Sequence, residues 1–320
     1  MIGAEARPRE TAAASDTDRP CGPRIRVAVP ADDELTEPSI TLLQNAGYTQ
    51  RVNNEDLLVV DPVNDVEFCY LQPRDIAVYV GTGDLDFGIC GRDTLEDSGS
   101  PVRAAVPLDF GRTDLRIAVL RSSTCELADL NGMRIATCHP HLTRAFLARH
   151  RLDARIVKLS GDPEMALELG AADAITETVP VGHSPAGAGL RLVGDPIFHS
   201  EALLIERAPR EDRVPRPESL PKRLNFVNRI RGVIAARNHV VISYTWEGPP
   251  TPRTARRPKD HEAGRYEAGM RRTPDIDGNA FSGGTIVVPA AQADQVIDEL
   301  LAFGARPMLY GSPGILWGPA

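Results

Sequence analysis

The sequence predicts an α/β protein built in several domains, and three observations carry that prediction. Short β-branched and aromatic runs alternate with amphipathic stretches from Arg24 onward, the pattern of parallel α/β sheets. The alternation comes in two successive series. After the charge- and proline-rich stretch APREDRVPRPESLPKR the order changes to helix, strand, strand, helix, strand. A chain of 320 residues with 42% apolar content buries substantial cores, and domain-size statistics favour two or three of them over one.

Residues 1–23 carry almost no large apolar side chain and are expected to form a disordered tail, since burial cannot offset the entropy of ordering them. IRVAVP at 25–30 reads as the first strand, and Leu35, Ile40, Leu42 and Leu43 follow at helical spacing. LLVVD at 57–61 and VEFCYL at 66–71 read as strands, a short helix is expected around Asp75 to Gly81, and DFGICG at 86–91 is another strand. LRIAVL at 115–120 opens the second series. It continues through a helix near Leu127, the strand MRIATC, the helix LTRAFLARH, the strand ARIVKL, the helix PEMALELG and the strand DAITET. LRLVGDPIF and EALLIER then close the unit and are expected to cross back to the first. The expected partition is lobe I at 24–114 plus 196–208, lobe II at 115–195, a linker at 209–221 and a C-terminal domain at 222–320. In that domain LNFVNRIRGVIAARN, VVISYTW, GGTIVVP, AAQADQVIDELLAFG and ARPMLYG suggest a small ferredoxin-like α+β module. Residues 247–280 are dominated by Pro, Arg, Asp and Gly, and are expected to be mobile or partly helical around His261 to Met270.

The net charge of −8 and pI near 5.5 argue against a nucleic-acid or anionic-membrane partner, which calls for a basic face. A small-molecule substrate is the better expectation. No apolar run approaches the ~20 residues of a spanning helix, and the N-terminus lacks the apolar core of a signal peptide, so a cytoplasmic protein is expected. Cys21, Cys69, Cys90, Cys125 and Cys138 are odd in number and form no CxxC pair, which points to reduced thiols.

LTEPSITLLQNAGY (35–48), VVDPVNDVEF (59–68), DIAVYVGTGDLDFGICGRD (75–93), LNGMRIAT (130–137), LGAADAI (169–175) and SEALLIER (200–207) share an order and spacing that resembles long-form ATP phosphoribosyltransferase, the first enzyme of histidine biosynthesis. The likeness spans residues 24–320, strongest before 100 and weaker after 210. It implies two periplasmic-binding-protein-like lobes with the substrate in the cleft between them, and a C-terminal regulatory domain that binds histidine. It implies transfer of a phosphoribosyl group from PRPP to N1 of the ATP adenine, with Mg²⁺ as the candidate cofactor and a homo-oligomer as the assembly. The substrate-binding positions it suggests are Arg74, Arg92, Asp93, Asp173, Gly182 and Ser184.

The departures from the family pattern fall where charge is handled. Ala31, Asp32 and Asp33 follow the first strand where the family has Asn-Lys-Gly; Gln72 and Glu55 take positions usually basic, with Arg51 and Arg74 nearby. The loop that cradles the 5′-phosphate in the family aligns with Pro180 to Pro185, where Gly182 and Ser184 survive. Expected acidic positions in the regulatory domain align with Ser243 and Thr245. These changes lead to the expectation of a diverged paralog running an altered small-molecule reaction, with Asp32, Asp33, His139 and His183 as catalytic candidates. Two alternatives stand beside it: a genuine ATP phosphoribosyltransferase whose missing cations come from Arg74, Arg51, Arg92 or Mg²⁺, and a non-catalytic ligand sensor or regulatory subunit. Each candidate also has a plainer reading. Asp32 to Glu34 suit a helix cap, His139 and His141 suit a polar loop, Cys138 suits a buried thiol, and Arg92 and Asp93 suit a salt bridge.

Overall fold

The computed structural model describes residues 24–161, 163–183, 189–209, 220–247, 266–274, 280–302, 304–311 and 314. The tail at 1–23, Ser184, residues 210–219 of the linker and the 248–265 segment lie outside the described residues.

Residues of lobe I form a mixed six-stranded sheet from β1 (Ile25–Pro30), β2 (Leu58–Asp61), β3 (Val66–Leu71), β4 (Phe87–Gly91), β5 (Val102–Pro107) and β11 (Ala202–Arg207), in the order β2-β3-β1-β4-β11-β5. The strands β1, β3 and β4 run parallel and end together at Pro30, Leu71 and Gly91. Val27, Ala28 and Val29 of β1 are wholly buried, as expected of a strand covered on both faces. Helices α1 (Thr36–Asn45), α2 (Pro73–Thr82) and α3 (Arg92–Ser98) follow β1, β3 and β4. α2 is longer than the expected Asp75–Gly81 because Pro73 is tolerated in its first turn and Gly83, at φ 86, ends it in the left-handed region. It lies directly on β4: a Cβ at Gly88 would stand 2.4 Å from Ile76 Cγ2.

Lobe II is a second mixed sheet, made of β6 (Thr113–Leu120), β7 (Arg134–Thr137), β8 (Arg155–Lys158), β9 (Ala174–Pro180) and β10 (Leu190–Ser200), in the order β10-β6-β9-β7-β8. Helices α4 (Pro140–Arg149) and α5 (Glu164–Glu168) pack on it. Its core gathers Leu115, Ile117, Val119, Leu130, Ile135 and Phe146.

The third sheet joins β12 (His239–Glu247), β13 (Tyr266–Pro274), β14 (Ala280–Pro289) and β15 (Arg306–Gly311) in the order β13-β14-β12-β15, every pair antiparallel. Helix α7 (Ala293–Ala302) supplies Ala293 and Val296 to a small core with Val240, Ile242 and Val288.

Besides the longer α2 and the unannounced α3, the structure differs from the sequence expectations at four places. β5 was not anticipated. Residues 196–200, assigned to lobe I, instead pair with β6 (Phe198 opposite Leu115, Ser200 opposite Thr113), so the chain returns to lobe I only at Glu201. Part of the segment expected to be mobile or helical is the strand β13, an extended run that finds a partner along the free edge of β14. The helix α6 (Leu220–Arg237) was placed in the C-terminal module, yet Phe226, Ile230 and Val233, spaced at i, i+4 and i+7, join the lobe I core. Phe226 stacks on Phe87 at 5.2 Å and meets Tyr48 at 5.2 Å. Ion pairs of Lys222 with Asp65 and Arg223 with Asp86, and bonds from Arg229 Nη1 to Asn64 (2.7 Å) and from Arg237 Nη1 to the Leu108 carbonyl (2.8 Å), fasten the same face. Among the described residues no helix is long and apolar enough to cross a membrane.

Candidate active site

Open α/β sheets take ligands beyond the C-terminal ends of their parallel strands. Here those ends meet. The chain leaves lobe I after β5 and re-enters it through β11, which starts beside Gly91. In lobe II, β9 ends at Pro180 opposite Thr113, the first residue of β6, and the Val181 N–H donates to the Arg112 carbonyl at 3.2 Å. The loops after β1, β4, β7 and β9 therefore all open toward the two connections that join the lobes.

The best-defined constellation sits at the start of α3. Asp93 is 6% exposed. Its Oδ1 accepts the Ser200 hydroxyl at 2.9 Å and its own neighbour's N–H, that of Thr94, at 2.8 Å. Its Oδ2 lies 3.5 Å from His139 Nε2 across the lobe boundary. Gly91 makes this arrangement possible, because a Cβ there would stand 2.3 Å from Asp93 Oδ1. Beside it, Arg92 Nη2 donates to Glu201 at 2.6 Å, so the guanidinium grips the return connection.

His139 is held by a buried hydroxyl network. Thr137 Oγ1 contacts Thr143 Oγ1 at 3.0 Å and Thr176 Oγ1 at 2.5 Å, and it accepts the His139 N–H at 2.9 Å. The Thr143 hydroxyl returns a bond to the His139 carbonyl at 2.7 Å. Burial lowers the imidazole's pKa, an effect that Asp93 and Asp97 oppose and Arg74 reinforces. Neutral imidazole is the resulting form near pH 7.

The first loop behaves differently. Asp33 Oδ1 accepts the Leu35 N–H at 2.8 Å and the Thr36 hydroxyl at 3.2 Å, so this carboxylate is spent on the entry to α1. Burial nevertheless raises its pKa, those hydrogen bonds opposing. Asp32 is exposed and has φ 57, in the left-handed region. In the third loop Gly182 has φ 83, which favours glycine. His183 is exposed, and its Nδ1 lies only within 3.3 Å of the Val181 carbonyl.

Arg74, at the start of α2, reaches across the cleft and donates from Nη1 to the Leu159 carbonyl at 3.0 Å. Arg51 is 7% exposed and its guanidinium lies 4.1 Å from the Tyr70 ring centroid; Nη1 donates to the Asn54 carbonyl, while Nε and Nη2 have no acceptor among the described residues. Glu55 and Gln72 are exposed. The thiol of Cys138 donates to the Gly161 carbonyl at 3.1 Å, and Cys90 is fully buried, its pKa raised by burial first and then by Asp93 and Asp33.

The structure thus brings His139, Asp93 and Arg92 to one place beside the hinge, leaves Asp32 and His183 on exposed loops and spends Asp33 on the turn that enters α1. Asp173 needs correction as a substrate-binding candidate. It precedes β9, at the opposite end of the sheet from the cleft, where it accepts three bonds from Arg134, at 2.8 Å from the backbone and 3.1 and 2.7 Å from the guanidinium. That pair lowers the Asp173 pKa. Ser184 lies outside the described residues. Sequence reasoning missed Ser200, the Thr137–Thr143–Thr176 network and Asp97, which accepts the backbone N–H groups of His141 and Leu142.

Comparison with known proteins bears on the use of this cleft. The family profile for ATP phosphoribosyltransferase matches residues 72–230. An ATP phosphoribosyltransferase of Streptomyces coelicolor is 38% identical over 293 residues, covering 89% of this chain and 96% of the relative. One from Mycobacterium tuberculosis is 38% identical over 286 residues, with the same coverage. A chain of the ATP phosphoribosyl transferase HisG:HisZ complex from Thermotoga maritima superposes with a TM-score of 0.53 at 21% identity, covering 66% of this chain and 98% of that one; this likeness speaks for the two-lobed fold alone. The near full-length relatives overturn the expectation of a diverged paralog with an altered reaction: similarity at 38% runs through both lobes and the C-terminal region rather than stopping at a borrowed scaffold.

Proposed function

Because the chain belongs to the ATP phosphoribosyltransferase family, we propose that it transfers the phosphoribosyl group of PRPP to N1 of the ATP adenine in the cleft between its lobes. The observation that carries this reading is the 38% identity extending over 89% of the chain to relatives that bear this activity in their names. In the reaction N1 forms a bond to C1′ of the ribose as the bond from C1′ to the diphosphate breaks, the electron pair leaving with the diphosphate. The chain's part is to position two polyanions and to stabilise charge that moves between them.

Gly182, with its left-handed backbone, belongs to the loop for the 5′-phosphate; Ser184, the other position that the resemblance suggests for it, lies outside the described residues. Arg74, which reaches the Leu159 carbonyl of the second lobe, and Arg92, which grips Glu201 on the return connection, are the cations assigned to phosphate oxygens when substrate enters. Asp93 and neutral His139 face the adenine, where alkylation at N1 builds positive charge that a carboxylate stabilises. Asp32 and His183 border the opening. Mg²⁺ fits as an ion carried in by the diphosphate. Among the described residues no group of three or more His, Cys, Asp or Glu forms a protein cage, and Mg²⁺ commonly binds through one or two carboxylates plus substrate phosphates; Asp32 and Glu34, both exposed on the first loop, are carboxylates that would serve. When bound, it neutralises the leaving diphosphate.

The lobes are read as periplasmic-binding-protein-like. The third sheet's order, β13-β14-β12-β15, is the second-third-first-fourth order of a ferredoxin-like module, and we read it as a regulatory-type domain in a cytoplasmic homo-oligomer. The deciding experiment mixes the purified chain with ATP, PRPP and Mg²⁺ and follows formation of phosphoribosyl-ATP by absorbance near the adenine band and by mass. Product that depends on both substrates is expected. No product at high enzyme concentration overturns the reading.

A further inference from the structure

Helix α3 of lobe I carries acids at positions 93 and 97, one turn apart. Asp93 turns to His139, and Asp97 reaches further into lobe II. Asp97 Oδ1 accepts the His141 N–H at 2.7 Å and the Leu142 N–H at 2.9 Å, while its main-chain oxygen lies 2.7 Å from His141 Nδ1. His141 and Leu142 are the second and third residues of α4, whose first N–H groups have no partner within the helix. A residue just before a helix normally serves them. Here the local position fails: His139 makes no side-chain cap bond, and Pro140 has no N–H to offer. A carboxylate from the other lobe does the work instead, and its negative charge suits the positive end of the helix.

We propose that Asp97 is a positioning residue, an inter-lobe latch that holds α4 and the His139 loop against lobe I and so sets the opening of the cleft. Only two chain connections join the lobes, between β5 and β6 and between β10 and β11, and such connections permit rigid-body opening. Opening parts Asp97 from the α4 amides and Arg74 from the Leu159 carbonyl in one movement. Water replaces both sets of bonds, so the latch biases the free protein toward closure without preventing release. A protein whose competent state is partly populated binds its ligands more weakly by that fraction. Losing the latch therefore acts on substrate affinity ahead of the chemical step.

The test compares wild type, Asp97→Ala and Asp97→Asn. The kinetic arm rests on the transferase reading; small-angle scattering and amide exchange do not. In Asp97→Ala the KM for ATP and for PRPP rises by about tenfold, in line with losing a cap and its charge-assisted bonds, while kcat stays within about twofold because saturating substrate closes the lobes. The unliganded variant has a larger radius of gyration than wild type, the difference disappears with both substrates bound, and the His141 and Leu142 amides exchange faster. Asp97→Asn keeps an acceptor oxygen in the same place and restores most of the affinity. Should Asp97→Ala fail to fold, Asp97→Ser, whose hydroxyl is too short to reach α4, carries the same expectations. The proposal is overturned if the variant keeps wild-type scattering and KM, or if kcat falls while KM does not move. If wild type makes no product, the transferase reading fails, and scattering with exchange decides the latch alone.

Discussion

At the residue scale, the contact between Asp93 and His139 ties the chemistry of the cleft to folding. Burial holds the His139 pKa below its ordinary 6.5. Well above that value both the folded and the unfolded chain carry a neutral imidazole, and this group gives stability no pH dependence. As the pH falls below it, the unfolded chain binds the proton first, so stability is lost progressively until the folded pKa is passed. Replacing His139 by Gln should make urea unfolding less sensitive to a change from about pH 7.5 to about pH 5.5 than it is in wild type. Equal sensitivity in the two proteins would place the pH dependence elsewhere. Gly91 supports the same contact from behind, since a side chain there collides with the Asp93 carboxylate. Gly91→Ala should cost about 1–3 kcal/mol of stability, the usual penalty for overpacking, and should reduce turnover more than a comparable insertion at Gly311, where a Cβ meets nothing within 4 Å. Chemical denaturation and the product assay, run on both variants, check this.

At the element scale, α6 shows how packing decides which unit an element belongs to. Its stripe of Phe226, Ile230 and Val233 completes the core of lobe I, and Phe226→Ala should cost about 3–5 kcal/mol in urea unfolding. A loss below about 1 kcal/mol would mean the helix is only loosely docked. The sequence announced α6 as a helix but not its destination, because an apolar stripe states a period and not a partner. The same limit applies across the chain. β1, β3, β4 and β6 were legible as apolar or alternating runs, whereas β5 is exposed at Arg103 and Ala104 and gave no such signal; it sits at the sheet edge. β13 was missed because YEAGMRRTP mixes charges, Gly and Pro with few β-branched side chains, so its hairpin pairing with β14 leaves no alternating signal. In the site, the cleft loops were identifiable from where parallel strands end, and His139 and Asp93 were singled out. Ser200 and Asp97 were not, since their partners lie 107 and 44 to 45 residues away and no local pattern records such pairings.

At the scale of the whole molecule, the cores divide the chain differently from its linker. The cluster formed by Val240, Ile242, Val288, Ala293 and Val296 is separate from the cores of both lobes, while α6, beyond the linker, is part of lobe I. A chain shortened to residues 24–238 keeps every large side chain of the two lobe cores, and also keeps Asp93, Asp97, His139 and Gly182. It should therefore unfold cooperatively and still form phosphoribosyl-ATP, with kcat within about tenfold of the full chain if the third domain acts on regulation rather than chemistry. A chain shortened further, to 24–209, strips α6 from Tyr48 and Phe87 and forfeits Phe226, Ile230 and Val233, each contributing on the order of 1.5–3 kcal/mol by burial. Since a typical domain is stable by only about 5–15 kcal/mol, that version should be largely unfolded or aggregated. Circular dichroism melts and the product assay on the two truncations separate the cases. If residues 24–238 melt as poorly as 24–209, the third sheet is holding the lobes together, and its role is structural.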